Sequence, residues 1–379
     1  MLSPKASKLP PFYVMEVLER AQELERSGRS IIHLEVGEPD FPTPAHIVEA
    51  ANEALGRGDT KYTHSMGLLE LREAIVGSYK EKFGVDISPD QVIVNSGTSP
   101  AMLLLFMGLL EPGDEVIMAR PHYACYPNFV DGVGGKTVFA PTKETAGFRL
   151  EPDVVKGLIS QRTKAILINS PANPTGHVMD SKEYRDICEA AGTIPVISDE
   201  IYQGLVYKGK DHSILEFTDN AFILNGFSKL YAMTGWRLGY LIAPKDCVRP
   251  LQKLQQNFFI CANNFVQHAG VAALRGPQGH IKSMVAEYDR RRKYMLRRLG
   301  EIGLPVKSEP SGAYYVLTDV RQYSMDSLSF SRDILEKAGV AVTPGLDFGA
   351  EGYLRFSYSN SLENIEEGMD RLDKYLHSQ

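Results

Sequence analysis

Between residues 92 and 242 the chain alternates short apolar runs with stretches of helix length, and no other feature restricts its fold as strongly. The runs Val92–Asn95, Glu115–Ala119, Ala165–Asn169, Ile194–Ser198, Ala221–Asn225 and Leu238–Ile242 read as strands. Stretches such as Pro100–Leu110 and Asp180–Ala191 read as helices between them. Strands that are apolar throughout and separated by helices predict an open, mostly parallel sheet covered on both faces. Sheets of that kind place their ligand site beyond the carboxyl ends of the strands. Asn95, Asn169, Asp199 and Asn225 all fall at such ends, so polar chemistry is expected there.

The pattern changes at both ends of the chain. After Pro277 a basic helix, His280 to Leu299, leads into a mixed segment with strands at Tyr314–Leu317 and Tyr353–Tyr358. The first forty residues hold a helix from Pro11 to Ser27 and a proline-rich turn. We therefore expect an α/β protein with a large domain over 41–277. A small α/β domain is expected from residues 1–40 and 278–379. A chain of 379 residues has the length for two domains. No internal repeat or low-complexity linker interrupts it.

Several function classes are disfavoured. A net charge of -6 offers nothing to nucleic acid. The longest apolar run, Ala101 to Leu110, is far short of the ~20 residues a membrane helix needs. Prolines and charges before Phe12 leave no signal-peptide core. Cys125, Cys188, Cys247 and Cys261 form no CxxC pair, which suits thiols in a reducing cytoplasm. The histidines show no close ligand spacing, so no metal site is expected. Two phosphate-loop lookalikes also fail. Gly135-Lys136-Thr137 has Val130 where the first glycine should stand, and Gly204 to Lys210 is followed by Asp211 instead of Ser or Thr. The basic run Arg290–Lys293 with Arg297 and Arg298 reads as a solvated helix face.

The chemistry lies in an ordered set of short segments. They are Ser96-Gly97-Thr98-Ser99, Asn169-Ser170-Pro171-Ala172-Asn173-Pro174-Thr175-Gly176, Ile197-Ser198-Asp199-Glu200-Ile201-Tyr202, Phe227-Ser228-Lys229 and Thr234-Gly235-Trp236-Arg237-Leu238-Gly239. Glu35-Val36-Gly37-Glu38-Pro39-Asp40 precedes them and Tyr353-Leu354-Arg355-Phe356-Ser357 follows. In this order they resemble the fold type I pyridoxal-phosphate aminotransferases, the class I/II family of aspartate aminotransferase. The resemblance runs over nearly the whole chain.

It implies pyridoxal 5'-phosphate held as an imine by Lys229, whose apolar neighbours Phe227, Leu230 and Tyr231 should lower its pKa. Asp199 would stabilise the protonated ring nitrogen, and Tyr202 with Asn173 would bond the ring's phenolate oxygen. The phosphate would take N–H groups from Ser96, Gly97, Thr98 and Ser99 at a helix N-terminus, the Ser228 hydroxyl and the Arg237 guanidinium. Tyr123 would stack on the ring. Arg355 would grip a substrate α-carboxylate as a fork, with Gly37 allowing close backbone approach. Tyr62 would reach the phosphate of a neighbouring subunit, which implies a homodimer with shared active sites.

The expected activity is ping-pong transfer of an amino group from an L-amino acid to a 2-oxo acid. A carbon–sulfur β-lyase or other eliminating enzyme on the same scaffold is the alternative. Some aspartate- and prephenate-type relatives carry a lysine in the phosphate loop that pairs with a second substrate carboxylate. Ser99 stands there in this chain, which shifts weight to neutral or aromatic amino acids.

Overall fold

The computed structural model describes residues 4–378; residues 1–3 and 379 of the expected small domain lie outside them. Seven strands form the central sheet: β1 (Val92–Asn95), β2 (Glu115–Arg120), β3 (Lys136–Pro141), β4 (Thr163–Asn169), β5 (Val196–Asp199), β6 (Ala221–Gly226) and β7 (Gly239–Ile242). Their order is β1-β7-β6-β5-β4-β2-β3. The ladders from β3 through β6 are parallel, and β7 runs antiparallel to both its neighbours.

The six expected strands are all present, and the sheet has one more. Strand β3 is an edge strand with a mostly half-exposed pattern, so it lacks the continuous apolar run that marks the others. Its first residues, Lys136 and Thr137, belong to the failed phosphate-loop motif, and they open a strand instead of a helix. Strands β1, β5, β6 and β7 are buried on both faces, β1 although it stands at the other edge. Alternation divides their side chains between two cores: Ile117, Ile166, Ile168, Val196 and Ile223 point one way. Val116, Met118, Leu167, Ile197 and Leu224 point the other.

Both chain ends meet in a second region. Helix α1 (Tyr13–Arg26) is followed by Ile32–His33, which pairs in parallel with Val340–Ala341. An antiparallel sheet of β8 (Tyr315–Asp319), β9 (Thr343–Pro344) and β10 (Tyr353–Ser357) has the order β9-β10-β8. Within the central region lie α2 (Thr98–Leu109), α3 (Cys125–Gly132) and α4 (Ser181–Ala191). The last is started by Asp180, whose side chain accepts the N–H groups of Lys182 and Glu183.

Long helix α5 (Gly279–Glu301) corrects one expectation. Its basic run is not wholly solvated, because Arg291 and Arg292 are buried. Arg291 bonds Asp40 at 2.8 Å and Glu287 at 2.9 Å, and Arg292 forks onto Asp289. Carboxylate partners let these guanidiniums leave water, and charge counting along the chain does not see them. Among the described residues no helix is long and apolar enough to cross a membrane. Among the same residues no group of three or more His, Cys, Asp or Glu side chains is placed to hold a metal ion.

Candidate active site

The carboxyl ends of β4, β5 and β6 open towards β8 and β10, leaving a cavity of about 210 Å³. Gly37, Thr98, Ser99, Tyr123, Asn173, Asp199, Tyr202, Lys229 and Arg355 all line it. They come from segments separated by most of the chain.

Lys229 follows β6 by three residues and turns into the cavity, where Nζ donates to the Gly37 carbonyl at 2.7 Å. Burial pulls its pKa down to about 8, with the Glu38 carboxylate acting against the shift. The direction matches the expectation from its apolar neighbours. An amine in that range is available both as a nucleophile and as a proton carrier near neutral pH.

Asp199 ends β5 and is buried. Tyr126 on α3 donates to its Oδ2 at 2.7 Å, and the Ile201 N–H donates to Oδ1 at 3.1 Å. Burial raises its pKa to about 6, with both hydrogen bonds holding it down against that push. At pH 7 the group is mainly ionised and ready for a cationic partner. Asn169, at the end of β4, donates from Nδ2 to the Asp199 carbonyl at 2.9 Å and accepts the Asn173 N–H at 2.8 Å. One amide thus ties the Asp199 strand end to the turn that carries Asn173.

Arg355 sits in the middle of β10 and is buried. Its Nη1 donates to Asn173 Oδ1 at 2.9 Å. Its Nη2 donates to the Glu35 carbonyl and to Thr343 Oγ1. The guanidinium lies 4.2 Å from the Tyr315 ring centre and 4.7 Å from that of Phe348. The buried Nε has no partner of its own. Its hydrogen-bond partners are neutral, and its charge is felt by the nearby Asp347 carboxylate without a direct bond, which leaves donor capacity for an anion. Tyr202 and Tyr315 share a hydroxyl–hydroxyl bond of 2.8 Å. A Cβ on Gly37 would overlap the Tyr315 hydroxyl, so glycine is required where this backbone crosses the cavity wall.

At the other end, Gly97 begins α2 at φ +94°, and a Cβ there would stand 2.5 Å from Nη2 of Arg237. The missing side chain lets an exposed guanidinium lie against the helix N-terminus. Ser96 directly precedes Gly97, while Ser228 is buried at the turn after β6. The helix N-terminus and Arg237 together give N–H and cationic donors suited to an anion. Tyr62 does not join the cavity of its own chain; it is 81% exposed on the surface.

The motifs missed Tyr126 and Tyr315, and they included Asn169 without giving it a role of its own. Tyr315 could have been found from the register, because β8 pairs with β10 and puts Tyr315 opposite Ser357, a diagonal neighbour of Arg355. Tyr126 gives no local signal beyond its place three residues after Tyr123. Its ring meets Tyr123 edge-on at 5.2 Å between centres.

The profile of the family "Aminotransferase class I and II" matches residues 29–372. A (5-formylfuran-3-yl)methyl phosphate transaminase of Methanocaldococcus jannaschii is 43% identical, covering 100% of both chains. Aromatic-amino-acid aminotransferase 2 of Thermococcus litoralis is 38% identical, covering 99% of this chain and 98% of its own. The solved aspartate aminotransferase of Thermus thermophilus with maleate superposes with a TM-score of 0.95 at 36% identity over 99% of each chain. Similarity of this extent in both sequence and backbone places the chain in the class I and II aminotransferase family.

Proposed function

We propose that this aminotransferase uses pyridoxal 5'-phosphate to move an amino group from an L-amino acid to a 2-oxo acid in two half-reactions. The observation that carries the reading is the convergence of Lys229, Asp199 and Arg355, a perturbed amine, a buried carboxylate and a guanidinium whose Nε has no partner, on one cavity. The residues suit the cofactor at each of its functional groups. Lys229 answers an aldehyde, Asp199 a ring nitrogen that must stay protonated, and Thr98, Ser99 and Arg237 a phosphate beside the gap left by Gly97. When bound, pyridoxal phosphate supplies an aldehyde for the amino group and a ring that accepts electrons from Cα.

The chain's own residues do the rest. Arg355 binds the α-carboxylate, which fixes Cα relative to the Lys229 amine. Lys229 Nζ is placed to take a proton from Cα and to give it back. Asp199 would hold its negative charge for the ring nitrogen, and Tyr202 and Asn173 would support the phenolate oxygen. Tyr123 would pack against the ring. Lys229 and Arg355 are the cations among the lining residues, and Ser99 adds none, which favours a substrate with a single carboxylate and a neutral or aromatic side chain. The exposed Tyr62 supports a homodimer in which it reaches the partner's phosphate end. Four unpaired cysteines support a cytoplasmic setting. The parallel pairing of Ile32–His33 with Val340–Ala341 supports a reading with a large unit at 41–277 and a small unit drawn from 1–40 and 278–379.

Replacing Lys229 by Ala tests the reading. Borohydride should no longer fix cofactor to the protein, and transamination should fall by roughly a thousandfold or more. Unchanged turnover in Lys229→Ala would refute the assignment.

A further inference from the structure

Helix α1 starts without a cap of its own. Phe12 stands at the N-cap, a position where Ser, Asp or Asn normally supplies an acceptor, and its side chain offers none. The acceptor comes instead from the other end of the chain. Asp347 Oδ1 receives the Tyr13 N–H and Oδ2 the Val14 N–H, both at 3.2 Å. The carboxylate is buried, and burial pushes its pKa up to about 6, so near pH 7 it is charged and aimed at the helix dipole.

Asp347 lies in the turn Gly345–Phe348, which has little freedom to move. A Cβ on Gly345 would collide with the backbone carbonyls of Ala350 and Tyr353, and the Phe348 carbonyl accepts the His122 N–H at 3.2 Å. The same turn touches the site on its other side, since Phe348 stacks beneath the Arg355 guanidinium. The helix that Asp347 holds lends Phe12, Val14 and Met15 to the cavity lining. Phe12 meets Tyr123 edge-on at 6.0 Å. A single turn therefore supports both the carboxylate grip and the apolar wall facing it.

We propose that Asp347 is a positioning residue for substrate side chains: by capping α1 it holds the Phe12, Val14 and Met15 wall against the cavity and so favours amino acids with large apolar side chains. The inference rests on the site reading above, in that Arg355 receives the substrate carboxylate. It concerns selection between side chains, because Asp347 touches no reacting atom.

The test compares two inert carboxylates on the holoenzyme, 3-phenylpropionate, whose ring reaches the wall, and propionate, which stops short of it. In Asp347→Ala the affinity for 3-phenylpropionate should fall at least fivefold while that for propionate stays within twofold. Asp347→Asn, which keeps the shape and one acceptor, should fall between the wild type and Asp347→Ala. Amide hydrogen exchange at Tyr13 and Val14 should accelerate in both variants, a readout independent of catalysis and of ligand. Phe12→Ala trims the wall directly, and its effect on 3-phenylpropionate should not add to that of Asp347→Asn. Equal weakening of both ligands would overturn the proposal and assign Asp347 to the Arg355 grip. Unchanged selectivity, or unchanged exchange at Tyr13 and Val14, would overturn it as well. Failure of the site reading shows separately and earlier: wild-type protein would bind neither carboxylate, whatever the exchange at α1.

Discussion

Asp199 is costly to keep ionised, because burial works against its charge and only two hydrogen bonds and the Lys229 charge oppose that effect. Tyr126 provides one of them, so its hydroxyl is worth more than its modest place in the sequence suggests. Tyr126→Phe should raise the Asp199 pKa, since a bond that favours the charged form is lost. Activity that needs ionised Asp199 then fails at a higher pH, and the acid limb of the rate–pH profile should move upward. At neutral pH the loss should be on the order of 10-fold or more, the scale of a hydrogen bond to a charged group. The profile of the variant, measured from pH 5 to 8, checks both direction and size. Arg355 invites a companion test. Arg355→Lys keeps the charge and loses the fork, so carboxylate affinity should drop by about 10- to 100-fold, read by titration with propionate.

Secondary-structure elements matter here through how their ends are tied. Ile32–His33 is only two residues long, yet it leads into Glu35 and Gly37 at the cavity wall. His33 Nδ1 lies 2.7 Å from Glu35 Oε1, and Nε2 lies 3.2 Å from Glu25. These carboxylates, the Glu35 bond first, raise the His33 pKa from 6.5 to about 9 despite partial burial. A histidine with a raised folded-state pKa stabilises fully below pH 6.5 and loses that contribution as pH rises to 9. Thermal melts of the wild type should therefore show a decline across that window, on the order of 2 kcal/mol from this pair. His33→Gln should flatten the decline and be least stable, relative to wild type, near pH 6. A wild-type slope that survives in His33→Gln would refute the attribution.

The strands themselves were legible because their signal is local. A strand buried on both faces must be apolar at nearly every position, as in Val92–Asn95 or Ala221–Gly226, and such runs stand out. Strand β3 was not legible, because its side chains are mostly half-exposed and form no such run, unlike those of β1 at the opposite edge. Helix ends were readable where a capping residue is present, as at Asp180. The start of α1 was misplaced by two residues, since its cap belongs to Asp347 at the other end of the chain.

Across the whole molecule, the N-terminal and C-terminal parts of the chain are fastened to each other by long-range contacts. Arg291 on α5 is one, reaching Asp40 beside the Gly37 loop while stacking near Phe41 and Tyr288. Arg291→Met leaves Asp40 and Glu287 without their cation and should cost about 3 kcal/mol, the lower end for breaking a buried pair, since Asp40 retains some contact with water. Urea denaturation would measure it. The proposed assembly is tested at the same scale. Sedimentation should give a species of twice the chain mass. Tyr62→Ala should leave that mass unchanged while weakening cofactor retention about tenfold. A monomer that retains full activity would exclude shared sites.

Taken alone, the sequence determined the alternating core, the strand ends where polar residues gather, and the order of short segments that carry Lys229, Asp199 and Arg355. Each depends on residue type and spacing over a few positions, where side-chain period and backbone preference act directly. Only the tertiary structure decided that Tyr126 supports Asp199 and that Tyr315 lies beneath Arg355. It alone buried Arg291 and Arg292 and placed Asp347 at the start of α1. Those pairings span up to 334 residues, as between Tyr13 and Asp347. No local preference encodes such a partner. It is chosen when both sheets close and every buried donor or charge must find what the final packing leaves within reach.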